Sequence, residues 1–490
     1  MNRGWKRHLV AWGMGILFVA GALPCFAQAQ VDLLKELDKE TAPQQKGPDL
    51  FKDLETAAAD KPEKKDDIAS QAVKHLAGSL RLRSMYYWQA AQERDGADLS
   101  HAAGEALLKF SDWVGGKTWR ADVSGWIEHG TQENTYAGVN DTFQDSDRRR
   151  RHLEINELFL TLNQPDYNVT LGKKIFSNGL STLYSPVDRL KPKDGNDPLD
   201  QKDLGIWQAR VDYFVKDSFT VTAAVLPVFQ TSKQPSPASR WMGSKRAGDS
   251  QDFDFFGDTS SNEVIEDRAQ VNLNNTGYFA RGKGTYHGWD LFASFYHGPN
   301  PFFVLREENQ GGRTVRIKET VKVANYAAGF STTYKKWEFH GEALYNYSYD
   351  GKDDNYLAYL GGFTYTVDDL AKKMRLEQID LTLEYGGEFI TNNQNAPGYT
   401  KSSRKTRLGK NDLYARANFK YSEDFSFEYV SNFELEEDES GRYQRLGTKY
   451  RVRDGLIWKV AVEFFNGSDN SYYGRWYRND RVLTELEYSF

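Results

Sequence analysis

Cysteine is almost absent from this 490-residue chain, which contains a single one, Cys25, near its N-terminus. The remainder therefore offers no disulfide, no thiol nucleophile and no cysteine metal site. Long apolar runs are also missing: beyond the N-terminus no stretch of 18 apolar residues occurs, which excludes a bundle of transmembrane helices. Charge of one sign does not dominate, because 63 basic residues face 69 acidic ones and the net charge is −6. That balance excludes a basic nucleic-acid-binding protein.

Enzyme signatures are missing as well. The chain has no G-x-S-x-G, H-E-x-x-H, P-loop or dinucleotide-binding motif. Of the histidines beyond the N-terminal segment, only His340 is expected inside a strand on its polar face, between Glu338 and Glu342. Nucleophilic catalysis would need a serine beside such a histidine, and none can be placed there. We therefore predict that the protein is not an enzyme and has no cofactor, apart from the calcium considered below.

Aromatic residues are abundant for so polar a chain. They make up 14% of the residues, whereas the hydrophobic fraction is only 39% and the mean hydropathy is −0.70. This pairing is typical of many amphipathic strands that contact lipid on one face and water on the other.

The N-terminus has the pattern of a secretory signal. Arg3, Lys6 and Arg7 precede an uncharged apolar stretch at 9–23, and small residues around Ala29 suit cleavage by signal peptidase. We predict a signal peptide at 1–29, since the apolar stretch is short for a membrane anchor.

Residues 30–75 form a different region, rich in charge, Gln, Ala and Pro, which predicts a helical or disordered periplasmic tail. A short phrase occurs twice in it, at 32–38 and 49–55, each time with a Leu/Phe face. An isolated helix of that length is marginal in water. The repeat is therefore either a bivalent docking peptide for a periplasmic partner or a coincidence in a charged tail.

From residue 76 onward the apolar residues recur with a period of two, which predicts β-strands. We predict a transmembrane antiparallel β-barrel of about 18 strands over 76–490. The predicted strands are 77–92, 103–114, 117–130, 152–163, 168–176, 204–214, 218–228, 275–286, 289–298, 320–334, 337–349, 355–366, 377–390, 411–421, 425–437, 442–452, 456–466 and 478–490.

Connection lengths support this prediction, because short and long connections mostly alternate along the chain. Two connections expected to be long, near Asp350 and Asp438, are short, and the turn at 367–376 is long for its side. Outer-membrane barrels have short periplasmic turns and long outer loops, so both ends of the barrel are expected to face the periplasm. The last strand ends on Phe490 and resembles the C-terminal signal by which Gram-negative barrels are recognised for outer-membrane assembly.

The same periodicity predicts the side chains that line the lumen. Acidic and basic strands alternate among the later strands, so basic residues of the neighbouring strands are the expected partners of Glu384, Glu428 and Glu434. At the closing seam two glutamates face two arginines across about 5 Å. These charges either create a field that orients charged solutes or form ladders that only rigidify the wall. The predicted lining residues are Arg81, Arg83, Asp380, Glu384, Glu388, Arg416, Lys420, Glu428, Glu434, Arg445, Lys449, Arg451, Glu485 and Glu487.

One segment resembles a known family. Its strand reads Leu-Gly-Lys-Lys from residue 171, and the following loop has the phrase Tyr184-Ser-Pro186-Val-Asp188-Arg189. This resembles porin-like outer-membrane barrels related to the alginate-export type, locally over about 165–230. Those barrels have a strongly basic lumen for a polyuronate, whereas the lumen predicted here is mixed in sign. The loop at 177–203 is either a gate folded toward the lumen, with Tyr184, Pro186, Asp188 and Arg189 as its candidate residues, or an ordinary outer loop.

Two loop motifs raise the question of ligands. Asp252, Asp254, Asp258 and Glu263 have the spacing of a calcium-binding loop, although Phe256 occupies a ligand position and no helix flanks them. An acidic solvated loop is the alternative. The four arginines at 148–151 are placed to contact lipopolysaccharide phosphates or to be solvated at a loop base.

Together these features predict an outer-membrane channel of a Gram-negative bacterium that passes a hydrophilic solute, charged or saccharide, by diffusion or as the exit pore of an export system. Its expected partners are membrane lipid, lipopolysaccharide, the barrel-assembly machinery and a periplasmic protein at the tail, with no nucleic acid. The alternative is a non-conducting barrel that acts as an interaction or assembly protein through its tail and outer loops.

Overall fold

The computed structural model describes residues 75–93, 97–132, 150–215, 218–235, 238–244, 264–267, 269–399, 407–436, 440–468 and 471–490. Within these residues, 18 strands form one closed antiparallel sheet, which confirms the predicted fold class. In chain order the strands are β1 (Ala77–Tyr87), β2 (Ala102–Gly115), β3 (Trp119–Gly130), β4 (Leu153–Asn163), β5 (Tyr167–Lys174), β6 (Ile206–Val215), β7 (Phe219–Val228), β8 (Gly277–Tyr286), β9 (Trp289–Pro299), β10 (Lys322–Tyr334), β11 (Trp337–Ser348), β12 (Asn355–Thr366), β13 (Gln378–Asn392), β14 (Asn411–Lys420), β15 (Phe425–Glu434), β16 (Gly441–Arg453), β17 (Leu456–Gly467) and β18 (Arg481–Ser489).

Each strand pairs with the next along the chain, and β1 pairs with β18 to close the barrel. At this seam Arg83 lies opposite Glu485 and Arg81 opposite Glu487, which is the register expected from the sequence. Closure leaves the sheet without a free edge, so all ladder hydrogen bonds can be made within the protein.

Side chains alternate between a polar inner face and an apolar outer face. On β1, Arg81 and Arg83 are buried whereas Leu82 and Tyr86 are exposed. Exposed Leu, Val, Phe, Tyr and Trp continue around the outer face of the other strands. A barrel in water would not present such a belt, and a barrel in a bilayer requires one.

A bulge in β4 changes the inward face within one strand. Ser124 of β3 pairs with Glu157, but the next residue pairs with Ile155, so one residue of β4 is extra. Glu154 lies on the inner face above the bulge, whereas Leu158 is exposed on the outer face below it. The strict period of two predicted for 152–163 is therefore interrupted, as expected where a bulge inserts a residue.

The connections are segregated by end. Turns of two to four residues join most strand pairs at the end where β1 begins and β18 finishes, and longer loops lie at the other end. The unusually long turn at 367–377 contains an α-helix, Asp368–Met374, which accounts for its length.

Strands that the sequence did not predict lie in the long loops. A hairpin, Val304–Gln310 with Arg313–Glu319, pairs through its second strand with Val264–Asp267, and Lys193–Asp194 pairs with Lys202–Asp203. No helix within the described residues is long and apolar enough to cross a membrane.

Candidate functional site: the lumen and the loop that crosses it

The connection between β5 and β6, residues 175–205, lies inside the barrel, and we call it the crossing loop. It makes two excursions, first to the wall of β9–β13 and then to the wall around the seam, before it returns to β6. Of the two alternatives from the sequence, an inward-folded loop and an ordinary outer loop, the structure has the first. Whether the loop gates transport stays a prediction.

The first excursion is held by backbone N–H groups rather than by side-chain charges. Two glutamates of the wall accept these bonds: Glu342 on β11 and Glu384 on β13, which are 4% and 0% exposed. Glu342 accepts the N–H groups of Leu180 and Ser181, the latter at 2.8 Å, and the Ser185 hydroxyl at 2.6 Å.

Glu384 accepts the next three N–H groups, those of Thr182, Leu183 and Tyr184, at 3.0–3.2 Å. Its Oε1 atom also lies 2.9 Å from Nε2 of His340. His340 lies on β11 between Glu338 and Glu342 and is 2% exposed.

The candidate gate residues define the bend of the crossing loop. Tyr184 stacks on Tyr414 of β14 with ring centroids 5.2 Å apart, and its hydroxyl donates to the Leu408 carbonyl at 2.9 Å. Pro186 then caps a 3₁₀ turn, Val187–Leu190, which places the backbone of Arg189 at the bend. Asp188 turns back and accepts the N–H groups of Asn178 and Gly179, both at 2.8 Å.

Apolar contacts fix the bend against the wall. Val187 is fully buried with Phe292, Leu344 and Tyr356, and Leu190 joins a second cluster of inner-face residues that includes Phe279. Burying such side chains stabilises the inward position by about 1.5–3 kcal/mol each.

The second excursion is held by ion pairs. In the first excursion the wall supplies the carboxylates, whereas in the second the loop supplies the carboxylates and the wall supplies the basic side chains. Asp200 contacts Arg81 at 2.6 Å and Arg83 at 3.1 Å, both on β1. Asp197 contacts Arg481 of β18 at 3.2 Å.

The pair formed by Asp194 completes this anchor. Its carboxylate lies 3.4 Å from Nε of Arg150, whose Nη1 in turn donates to Glu128 of β3 at 3.1 Å. Glu128 also pairs with Lys202 at the end of the loop. Five ion pairs, which involve β1, β3, β18 and the loop between β3 and β4, thus hold this half of the crossing loop. We call this group of ion pairs the second anchor.

The charged state of the second anchor follows from these contacts. Burial alone would raise the pKa of the Asp200 carboxyl, but Arg83 and Arg81 hold it well below its usual range. Burial, helped by the nearby Arg150 guanidinium, lowers the pKa of Lys202 to about 8. Asp200 is therefore ionised throughout the neutral range, whereas Lys202 is close to titrating.

Arg150 is a correction to the sequence analysis. The arginines at 148–151 were expected to be solvated or to face lipopolysaccharide, yet Arg150 is 0% exposed and Arg151 is 8% exposed. Arg150 is directed inward because Glu128 and Asp194 offer it two carboxylates in the lumen. The other two arginines of the run lie outside the described residues.

A second connection also folds over the lumen. Residues 238–244 follow β7 but pack against the far side, where the Arg240 guanidinium lies 3.3 Å from the ring centroid of Tyr87. Trp241 packs edge-on against Trp476 at 5.5 Å and joins Phe465 and Tyr443 in one aromatic cluster. Leu199 of the crossing loop packs on this cluster, so the two inward connections support one another.

The wall of β14–β17 has half-exposed charges. Arg416 lies 3.3 Å from Glu428, and Arg445 lies 4.0 Å from the same carboxylate. Their side chains are 26–30% exposed. This wall is in contact with water, as are the pairs Arg120–Asp122 on β3 and Arg210–Asp212 on β6.

The remaining predicted lining residues also face inward, but several have partners other than those expected. Glu384 bonds the crossing loop, Glu434 accepts the N–H groups of Tyr472 and Tyr473, and Glu388 binds Arg407 at 2.8 Å. The prediction that Glu384 and Glu434 have basic residues of β14 and β16 as partners is therefore replaced by bonds to loop backbone. The other members lie as follows along the wall: Asp380 beside Gln378, Lys420 beside Glu377, Arg451 beside Asp424, Glu485 and Glu487 beside Lys459, and Lys449 on the inner face of β16.

Residues that sequence reasoning missed are mostly the loop's own acids, Asp194, Asp197 and Asp200, and their partners. The sequence shows these acids at every third position of a proline-containing loop. A loop has no regular periodicity, however, so the sequence does not indicate whether their side chains point into the lumen. The predicted calcium ligands Asp252, Asp254, Asp258 and Glu263 lie outside the described residues. Within the described part of the chain, no group of three or more His, Cys, Asp or Glu side chains could hold a metal ion.

These features define an 18-stranded antiparallel barrel with a polar lumen and a loop anchored across it. No family model and no curated protein matches the chain. Solved structures with a similar fold include Pseudomonas aeruginosa OccK3 (OpdO), 14% identical with a TM-score of 0.44 over 87% of this chain and 99% of that one. Another is P. aeruginosa OpdK with vanillate, 10% identical with a TM-score of 0.46 over 86% and 99% of the two chains.

The outer membrane channel DcaP of Acinetobacter baumannii is also similar, at 14% identity and a TM-score of 0.37 over 85% of this chain and 96% of that one. These similarities concern the fold alone. The relation to the alginate-export type stays a prediction.

Proposed function

We propose that the protein is an outer-membrane channel that passes a hydrophilic solute through the lumen of its barrel, by diffusion or as the exit pore of an export system. The observation that carries the proposal is the opposite character of the two faces: exposed apolar side chains outside, and charged side chains in contact with water on the inner wall of β14–β17. Such a barrel is stable in a bilayer, and its wet wall provides a path for a polar or charged solute.

The orientation follows from the segregation of the connections. The end with the short turns also has both ends of the barrel, so we propose that it faces the periplasm. The tail at 30–75 would then be periplasmic, and the long loops would be outside the cell.

In this channel the crossing loop is the constriction. It occupies the lumen along two walls, around the seam and along β9–β13, and leaves the charged wall of β14–β17 as the solute path. A constriction of this kind limits solute size, and its fixed charges add a preference that depends on ionic strength. A saccharide or a small ion of either sign fits a wall on which both signs are present.

The rival function is a non-conducting barrel that serves as an interaction or assembly protein. One observation favours it: aromatic side chains from two loops, with Trp241 and Trp476 at their centre, pack together against aromatic residues of β16 and β17. If this packing is permanent, the lumen is closed.

Conductance of the refolded mature chain in a planar bilayer separates the two functions. We expect discrete, ohmic current steps, together with swelling of proteoliposomes in neutral sugars up to a limiting size. A variant in which residues 179–190 are replaced by a short Gly/Ser linker should conduct more and admit larger sugars, because the first excursion is gone. A correctly folded wild-type barrel without current steps, combined with a conducting linker variant, would assign the protein to the rival class.

A further inference from the structure

A run of seven consecutive backbone N–H groups in the crossing loop, from Asn178 to Tyr184, is directed at carboxylates. Asp188 accepts the first two, Glu342 the next two and Glu384 the last three. Successive N–H groups that converge in this way form an anion-binding concavity of the kind called a nest. Here the barrel wall itself supplies the anions.

The two wall carboxylates have no lysine or arginine partner within the described residues. Glu384 has His340 at 2.9 Å, and the remaining bonds of both glutamates are to the crossing loop. A buried carboxylate needs several hydrogen bonds to remain charged, and the backbone of the loop provides them. Loop and glutamates are therefore mutually dependent: among the described residues, removal of the loop would leave Glu384 with His340 alone and would take away all the hydrogen bonds of Glu342.

The first excursion also differs from the second in how it could be released. Residues 180–185 contain no charged side chain, so they depend on the two glutamates, on the stacking of Tyr184 and on apolar contacts. Residues 194–202 are fixed by several ion pairs to the seam and by strand pairing with the end of the same loop. The first excursion can thus move away from the wall while the second stays in place.

We propose that Glu342 and Glu384 are positioning residues of the constriction: they hold the first excursion of the crossing loop across the lumen, and loss of their bonds opens it. We call the bonds between these two glutamates and residues 180–185 the latch. This rests on the proposed function, because it assigns the effective width of the channel to two residues of β11 and β13. When the loop moves away from the wall, the carboxylates of Glu342 and Glu384 become exposed to the lumen, so the opened lumen attracts cations more than the closed one.

The chain offers a matched control and a reporter. Glu338 lies on β11 on the same inner face as Glu342, is partly exposed, and has no bond to the crossing loop, so Glu338→Gln removes a lumen charge without touching the latch. Ser181 has a buried hydroxyl without a partner, and its backbone lies within the latch. Because the mature chain is predicted to lack cysteine, the near-isosteric Ser181→Cys provides a single buried thiol.

The experiment measures the rate at which a water-soluble thiosulfonate labels Ser181→Cys in the refolded mature protein. Combination with Glu384→Gln or Glu342→Gln should accelerate labelling about tenfold. In these variants a neutral amide replaces the charged acceptor, and its NH₂ group faces the backbone N–H groups of the crossing loop. Combination with Glu338→Gln should leave the rate unchanged. Glu384→Asp, which keeps the charge, should restore part of the protection.

Single-channel recording of the same variants provides the functional readout. Glu384→Gln should increase conductance or produce frequent transitions to a larger open level, whereas Glu338→Gln should not. If a glutamate variant fails to fold, Ser185→Ala serves in its place: it removes the hydroxyl bond to Glu342 and the bond that the same hydroxyl accepts from the Asp188 N–H, and keeps both glutamates.

Equal labelling rates in the Glu384→Gln, Glu342→Gln and Glu338→Gln backgrounds would overturn the latch and leave the channel proposal intact. A wild-type barrel that never conducts would overturn the channel proposal, and the labelling rates would still show whether the two glutamates hold the loop.

Discussion

Replacing Asp200 by Asn should release the second anchor of the crossing loop from the seam. Asp200 makes a bidentate contact with Arg81, at 2.6 and 3.0 Å, and a third bond to Arg83 at 3.1 Å. Breaking a buried pair by removing one partner typically costs about 3–5 kcal/mol, because the other charge is left unpaired. Arg83 retains Glu485 at 2.9 Å, so we expect about 2–3 kcal/mol for this variant.

The loss of the carboxylate also changes the field in the lumen. A unit charge about 4 Å from an ion contributes about 1 kcal/mol in water, which corresponds to roughly a fivefold change in the permeability ratio of anions over cations at low salt. Asp200→Asn should therefore shift the reversal potential in a potassium chloride gradient toward anions and lower the temperature at which the folded barrel loses its compact gel migration.

Asp424→Asn is the matched control. Asp424 lies 3.9 Å from Arg451 in a turn and is 58% exposed, and exposed pairs of this kind contribute about 0–1 kcal/mol. Because the pKa of Asp200 is well below its usual range, its contribution is present at all pH values above the unfolded carboxyl pKa and is lost only as the pH falls through the folded value. The shift in reversal potential between the wild type and Asp200→Asn should thus be the same at pH 5 and at pH 7. If Asp200→Asn and Asp424→Asn have the same reversal potential and thermal behaviour, the anchor has no role in holding the loop.

Three further predictions concern the wall, the loop and assembly. The first uses a variant with Gln in place of Arg416, Lys420, Arg445 and Lys449. If the charges of β14 and β16 create a selective field, this variant should shift the reversal potential toward cations without loss of conductance. If these charges only rigidify the wall, the variant should be less stable to heat and its reversal potential should be unchanged. Because the pKa of Lys202 is about 8, raising the pH from 7 to 9 should remove a positive charge from the second anchor and increase cation preference, and Lys202→Gln should abolish that pH dependence in the same recording. Deleting Phe490 should leave the chain in the periplasm, and normal amounts of the shortened protein in outer-membrane fractions would contradict the proposed assembly signal.

Strand positions could be predicted from the sequence because a strand's periodicity reports its environment. In β18, Leu486 is exposed outside and Glu485 is buried inside, and this alternation is legible without any tertiary information. The bulge in β4 was not predictable, since the extra residue before Glu157 is defined only by the partner strand.

The bonds that hold the crossing loop inside the barrel could not be predicted from the sequence. Tyr184, Pro186 and Asp188 marked the loop as a candidate gate and left an ordinary outer loop as the alternative, because the bonds that hold it inside join residues about 160–200 positions apart, such as Ser181 to Glu342. Backbone N–H groups make most of these contacts, and every residue except proline has one. Glu384 was predicted to line the lumen, yet its partner could not be inferred because nothing in the side chains of 180–184 is complementary to a carboxylate.

The seam also has a consequence for how the chain reaches its folded state. Arg83 bonds Glu485 across 402 positions, and Phe490 exchanges backbone hydrogen bonds with Gly78, so the ring cannot close before β18 has been synthesised. Joining ends that far apart costs about 5 kcal/mol in chain entropy. Arg83 also holds Asp200, so the arginine that closes the barrel belongs to the anchor of the loop that narrows it. Assembly therefore ends with a narrowed lumen, and no wide, unobstructed barrel need exist on the way.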